Sequence, residues 1–260
     1  GQLMASAAFD DFWAGAATNT VCDGGQASHH GQPYVIYDHM ASRWVVVDVA
    51  YTDIDNGPYY LCLAVSNGVP APVAPGPYFD PAHWKYMALN TAEGQMNLYP
   101  SSPKLGLWPD GYYLSADMFD VYNNGFDQDP EGAKVWALNR EDLTSPSTTI
   151  IRYIDYYLPE WQNYEHLVPS NLLGYPPPTG TPNYFASIQQ GKFHIWEFYA
   201  NWLNPSASKF GTPTNEPNRT FTTDTSAQWA TGYIIPQLGA AATLPEQLDV
   251  IGDRLMSPLQ

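Results

Sequence analysis

Positive charge is scarce in this sequence: ten Lys and Arg residues stand against 26 Asp and Glu, a formal net charge of −16 over 260 residues. A surface of that sign repels a phosphate backbone, which excludes nucleic acid as a partner. Long apolar runs are also missing, and none approaches the roughly 20 residues that cross a bilayer. No Gly-x-Ser-x-Gly elbow, His-Glu-x-x-His helix or phosphate-binding glycine loop is found. Cysteine is limited to Cys22 and Cys62. They show no Cys-x-x-Cys spacing and no clustered histidine, so a metal or redox pair is poorly supported, and a disulfide across the Tyr34–Val47 segment is the expectation. A disulfide implies an oxidising compartment. The chain opens on Gly1-Gln-Leu-Met-Ala without a signal peptide, so in a secreted protein the targeting segment has been removed. Amphipathic helices are hard to find; residues 137 to 143 and Pro245 to Asp249 read as a turn or two each.

What the chain has in quantity is aromatic residues and turn formers: 19 Tyr, 9 Trp and 10 Phe, with 24 Pro and 20 Gly spread along its length. Aromatic and β-branched side chains suit pleated surfaces, and dispersed Pro and Gly imply many turns between short strands. The fold class read from this is all-β. Three stretches repeat one pattern of an apolar run, a turn and an aromatic-rich strand. They are Tyr34–Asp38 with Arg43–Asp48, Leu105–Asp110 with Tyr112–Asp117, and Asn183–Gln189 with Phe193–Phe198. In each an aromatic residue precedes a polar one by four positions: Trp44/Asp48, Tyr113/Asp117 and Phe185/Gln189. Recurrence of this kind predicts a β-propeller of four-stranded antiparallel blades.

The blades are placed at about 31–90, 104–154 and 167–225, with partial blades at 1–20 and 246–260. The first blade takes Pro33–Asp38, Arg43–Tyr51, Tyr59–Ser66 and Trp84–Leu89 as strands. In the second, Trp108-Pro-Asp-Gly-Tyr112 is a tight turn, Lys134–Leu138 the third strand and Ile150–Tyr153 the outer one. In the third, Asn183–Gln189 turns into Lys192–Tyr199, while Leu167–Gly174 and Pro176–Gly180 run across an end of the propeller.

The order Gly31-Gln-Pro-Tyr-Val-Ile-Tyr-Asp38, Arg43-Trp44, Pro58-Tyr-Tyr-Leu-Cys-Leu-Ala-Val-Ser66, Trp108-Pro-Asp-Gly-Tyr-Tyr113, Pro182-Asn-Tyr-Phe185 and Leu248–Met256 resembles a family of secreted β-propeller-like proteins. They are mostly bacterial, largely uncharacterised and often joined to other extracellular modules. The resemblance implies a secreted propeller with a disulfide near its first blade, and it supplies no catalytic residues. Three blades and two partial ones do not close a ring, and open edges invite pairing. The chain is therefore expected to be a segment of a longer protein or to be completed by self-assembly or a partner chain.

The site candidates are carboxylates. Asp38 and Asp110 occupy matching turn positions, and Asp48 and Asp117 matching strand positions. Asp48, Asp110 and Asp117 could form the acid/base set of a carbohydrate-active enzyme, with carboxylates drawn from different blades. The preferred reading makes Asp38 and Asp110 turn formers and Asp48 and Asp117 polar links between blades, with no catalytic set. Asp120, Asn123, Asn124, Asp127, Asp129 and Glu131 place hard oxygen ligands in one Gly-containing loop, which suits calcium; a solvated acidic loop is the competing reading. Asp53, Asp55 and Asn56 form a weaker cluster. Asn218-Arg219-Thr220 is a glycosylation sequon, placing 211–228 in an exposed loop. His29-His30 is read as a loop pair without a third metal ligand. Tryptophans could stack on a polysaccharide, but most fall at strand positions that suit core packing. The functional expectation is an extracellular binding or structural module.

Overall fold

The computed structural model describes residues 8–24, 28–68, 83–122, 125, 127–159, 166–189, 192–211, 214–215, 233–235 and 248–249. The first sheet contains β1 (Tyr34–Asp38), β2 (Arg43–Ala50), β3 (Tyr60–Ser66) and β4 (Trp84–Asn90). The second contains β5 (Tyr99–Leu107), β6 (Gly111–Tyr122), β7 (Asp127–Asn139) and β8 (Tyr153–Pro159). The third contains β9 (Val168–Pro169), β10 (Asn183–Gln189), β11 (Lys192–Tyr199) and β12 (Lys209–Phe210), and β13 (Thr214–Asn215) also pairs with β11. Strands β1–β4, β5–β8 and β9–β12 each form an antiparallel meander of four consecutive strands, as expected, and β13 adds a fifth strand to the third sheet. A separate hairpin joins β14 (Tyr233–Ile235) to β15 (Leu248–Asp249). No helix among the described residues is long and apolar enough to cross a membrane.

The sheets lie face to face in chain order because the strands are apolar on both sides. β6 is buried continuously from Gly111 to Met118. Successive strand residues point to opposite faces, so such a run must be covered twice. Tyr112, Leu114, Ala116 and Met118 share one core with Val45, Val47, Leu61 and Leu63 of the first sheet. Tyr113, Val135 and Ala137 share another with Phe185, Trp196 and Phe198 of the third. Full burial of a side chain of this size contributes about 1.5–3 kcal/mol relative to exposure. The second sheet is thus the middle layer of the stack.

Polar links fix how the layers meet. Asp38 closes the β1–β2 turn by accepting from the backbone N–H groups of Met40 and Ala41, both at 2.9 Å. It also accepts from Tyr112 Oη at 2.7 Å, and from Arg140 Nε at 2.6 Å and Nη2 at 3.1 Å, across the gap to the second sheet. Arg140 opens the short helix α2 (Arg140–Thr144), whose start is fixed by Asn139 accepting from the Asp142 N–H at 2.8 Å. Between the second and third sheets the backbones themselves touch. Leu172 N–H donates to Leu107 O at 2.9 Å, and a Cβ on Gly106 would stand 2.4 Å from Ser170 O. Only glycine permits this approach of β5 to the third sheet.

The face of the first sheet turned away from the second is covered by α1 (Phe9–Trp13). Phe12 and Trp13 pack there with Val46, Ala50, Ala64 and the Cys22–Cys62 disulfide. The disulfide expectation holds. Phe9–Trp13 is helical where the sequence places part of a blade at 1–20; its aromatic residues fit either periodicity, and the sheet surface beneath them decides. The outer strand of the second sheet is Tyr153–Pro159 rather than Ile150–Tyr153. Residues 137 to 139 end β7, leaving α2 only Arg140–Thr144. Val168–Pro169 does not cross an end of the stack but pairs with β10 as the first strand of the third sheet. Leu248–Asp249 is strand, not helix. Residues 1–7, the 69–81 loop and 250–260 lie outside the described residues.

Candidate functional site

Where the β5–β6 turn, the proline strap 176–182 and the segment after β11 converge, they enclose a cleft of about 640 Å³. The Trp108-Pro-Asp-Gly sequence forms the tight turn expected of it, with Trp108 N–H donating to Gly111 O at 2.9 Å. The strap is folded on itself by Thr181, whose N–H and Oγ1 both donate to Pro178 O, at 3.1 and 2.8 Å. The segment after β11 is shaped by Asn201, whose Oδ1 accepts from the N–H groups of Leu203 and Asn204 at 3.2 and 2.9 Å.

Asp110 sits inside this cleft. Its carboxylate accepts from Tyr113 Oη, at 3.1 Å to each oxygen, and from Trp202 Nε1 at 3.0 Å. Burial raises the carboxyl above its ordinary pKa, against the lowering effect of the bonds from Trp202 and Tyr113. Tyr113 is pushed well above the usual phenol value, first by burial and then by the charge of Asp110 and the bond to it, so it stays a hydrogen-bond donor. Trp108 Nε1 donates to Thr181 O at 3.0 Å. The polar tips of Trp108, Tyr113 and Trp202 are all used within the wall. Tyr199 and Leu203 border the cleft and are exposed to 43% and 96%.

Asp48, Asp110 and Asp117 are not brought together. Asp117 lies further along β6, about 23 Å from Asp110 at a rise of about 3.3 Å per residue. Paired glycosidase carboxylates stand about 5–9.5 Å apart. Asp48 is on the far face of the first sheet, fully buried, with His29 Nδ1 at 2.7 Å from Oδ2. Burial raises the Asp48 carboxyl above its ordinary value, although the bond and charge of His29 oppose it. Trp13 stacks on the His29 ring at 5.0 Å and 3°, sealing the pair from solvent. Asp117 binds His166 twice, through the His166 N–H at 2.7 Å and through Nδ1, and so links the second sheet to the lead-in of the third. His29 is not in a free loop; it bridges Ala50 and holds Asp48.

The matched spacing of Trp44/Asp48 and Tyr113/Asp117 conceals a difference of face. Asp48 points away from the following sheet, and Asp117 points toward it. A slip of one residue in a period of two reverses every side chain. Trp44 therefore corresponds in direction to Tyr112, not Tyr113. Trp44 and Tyr37 meet with ring centroids 5.0 Å apart and planes tilted by 54° on the open part of the far face, with Trp44 53% exposed.

The acidic stretch after Phe119 is mainly hairpin rather than loop: Asp120 lies on β6, and Asp129 and Glu131 lie on β7. Asp120 and Asp129 are directly opposed. A pocket of about 430 Å³ is lined by Asp120 and Glu131 together with Asp55 and Asn56, so the two acidic clusters of the sequence meet. Asp55 Oδ1 accepts from Gly125 N–H at 2.9 Å. Asp53 is engaged in its own turn, accepting from Asp55 N–H at 2.9 Å and Asn56 Nδ2 at 2.8 Å. Among the described residues no three His, Cys, Asp or Glu side chains are gathered tightly enough to hold a metal ion. Asn123, Asn124, the Asp127 side chain and Asn218 lie outside the described residues.

Trp202 and Arg140 are the functional neighbours that sequence reading overlooks. Each binds an aspartate far away in the chain, with separations of 92 and 102 residues, and neither lies in a motif. No family model, curated protein or solved structure matches the chain.

Proposed function

We propose that the three sheets are successive blades of a propeller-type stack, and that the chain is an extracellular, non-catalytic binding module whose ligand seats in the Trp108–Trp202 cleft. The observation that carries this is the cleft itself: aromatic walls around a single carboxylate, of a size within the ordinary range for ligand pockets. The Cys22–Cys62 disulfide supports an oxidising, extracellular setting, and glycosylation at Asn218 belongs to the same proposal. Separation of Asp48, Asp110 and Asp117 weighs against the glycoside hydrolase alternative. Incubation with a panel of polysaccharides is expected to give retention without release of sugar. Released sugar would favour the enzyme. Ordered self-association with neither retention nor release would favour a purely structural role completed by further copies or a partner chain.

Calcium at the acidic hairpin is part of the same proposal. Like charges directly opposed across a strand pair repel, and a divalent cation beside Asp120 and Asp129 would relieve this, with Asp55 and Glu131 lining the pocket that Asp120 also lines. Calcium is expected to raise the Tm of the isolated protein. Absence of both a thermal shift and heat on titration removes calcium from the proposal.

A further inference from the structure

We propose that the Trp108–Trp202 cleft takes a small organic cation of the alkylammonium class, with Asp110 as its counter-ion. The inference rests on the cleft being a ligand site and specifies what that site recognises. Three features of the lining point to positive charge rather than to a neutral polar ligand.

The first is the disposition of donors. Trp108 Nε1 is spent on Thr181 O, while Trp202 Nε1 and Tyr113 Oη are spent on Asp110. These aromatic groups have no N–H or O–H left to offer, and what they present to the cavity is ring surface. A neutral sugar is fixed by several directional donors and acceptors, and these three rings offer it no donor. The negative face of an aromatic ring, by contrast, attracts a cation without any directional bond.

The second is charge. Among the described residues no Lys, Arg or His lines the cleft, and Asp110 is the one carboxylate that does. The guanidinium of Arg152 donates to Trp202 O at 3.2 Å. It is already held by Asp142, at 2.7 Å from Nε and 2.8 Å from Nη2. The protein as a whole carries a net charge of −16, so its long-range field also draws cations.

The third is the state of Asp110. Among the described residues its side-chain donors are Tyr113 and Trp202, both uncharged; its own backbone N–H adds a further bond, and burial opposes its ionisation. An arriving cation supplies the charge partner that the described residues do not. A tetrahedral ammonium bearing methyl groups also buries apolar surface against Trp108, Tyr199 and the proline strap.

The test compares choline with its neutral isostere 3,3-dimethylbutan-1-ol at fixed ionic strength, reading tryptophan fluorescence and heat of binding. Choline is expected to bind saturably and at least about tenfold more tightly than the isostere, the ratio expected when a cation is desolvated against aromatic faces. Asp110→Asn and Trp108→Leu, each with an unchanged circular dichroism spectrum, are expected to remove that preference. If either variant unfolds, protection of the wild-type Trp108 and Trp202 rings from chemical oxidation by choline provides the same test. Equal affinity for choline and the isostere overturns the cation inference and leaves the binding function standing, as does retention of a polysaccharide with no choline binding. Choline binding that survives both substitutions places the cation elsewhere and also overturns it. Failure of both small probes together with failure to retain any polysaccharide sinks the binding function itself.

Discussion

Asp38→Ala is expected to lower the free energy of unfolding by about 3–5 kcal/mol, the cost of leaving one member of a buried ion pair without the other. Asp38 is fully buried and the Arg140 side chain 17% exposed, so neither has much water to fall back on. The carboxylate accepts from two turn N–H groups, a tyrosine hydroxyl and two guanidinium nitrogens. Its removal takes away the acceptor of the buried Tyr112 hydroxyl and leaves the Arg140 charge uncompensated, and it loosens the turn that sets the register of β1 on β2. Urea denaturation checks the value, and a change below about 1 kcal/mol would mean that the clamp does not hold the first two sheets together.

The same group predicts a pH response. Burial alone would raise the Asp38 pKa. The bonds from Arg140, Tyr112 and Ala41 N–H, with the charge of Arg140, outweigh burial and leave the carboxyl below its ordinary value. A depressed folded-state pKa gives a contribution that is complete above the unfolded value of about 4 and is lost as pH falls through the folded value. Asp142 shifts in the same direction, chiefly through its bonds to Arg152. Stability should therefore drop most steeply on the acid side of about pH 4. Asp38→Asn should flatten that limb.

Loss of the Cys22–Cys62 disulfide is expected to cost about 4 kcal/mol, from the chain-entropy estimate for a loop of this size, the two cysteines being 40 residues apart. The bond also ties the segment after α1 to the centre of β3, so its loss releases Phe12 and Trp13 from the far face of the first sheet. Cys22→Ser combined with Cys62→Ser should lower the Tm and shift tryptophan emission to the red as Trp13 meets water. It should also expose His29 and Asp48, which Trp13 now covers. An unchanged Tm with blue-shifted emission would show that α1 holds its place without the covalent tie.

These two links differ in how plainly the sequence announces them. The disulfide follows from there being only two cysteines and nothing else for them to do. The first sheet is legible almost to the residue because Arg43–Ala50 and Tyr60–Ser66 are rich in Val, Leu and Tyr, and turn residues bound them. Trp108-Pro-Asp-Gly announces its turn through Pro and Asp-Gly. Asp38 could be assigned to a turn, but its hold on Arg140 could not, because that contact joins β1 to the helix α2 that follows β7, 102 residues away. The helix Phe9–Trp13 is too short for its periodicity to distinguish it from a strand, and only the surface it covers decides. The face of Asp117 was hidden for a related reason. A four-residue spacing keeps two side chains on one face, yet does not say which neighbour that face meets. The cleft depends on Trp202 reaching Asp110 from another sheet, a closeness with no local signal.

Hydroxyl-radical footprinting of the aromatic side chains, with and without saturating choline or a retained polysaccharide, tests the binding function most directly. The prediction is protection of Trp108, Tyr199 and Trp202, with no change at the exposed Tyr37 and Trp44 on the far face and no chemical change in the ligand. Equal labelling of the cleft aromatics with and without ligand, or protection confined to Tyr37 and Trp44, would contradict it.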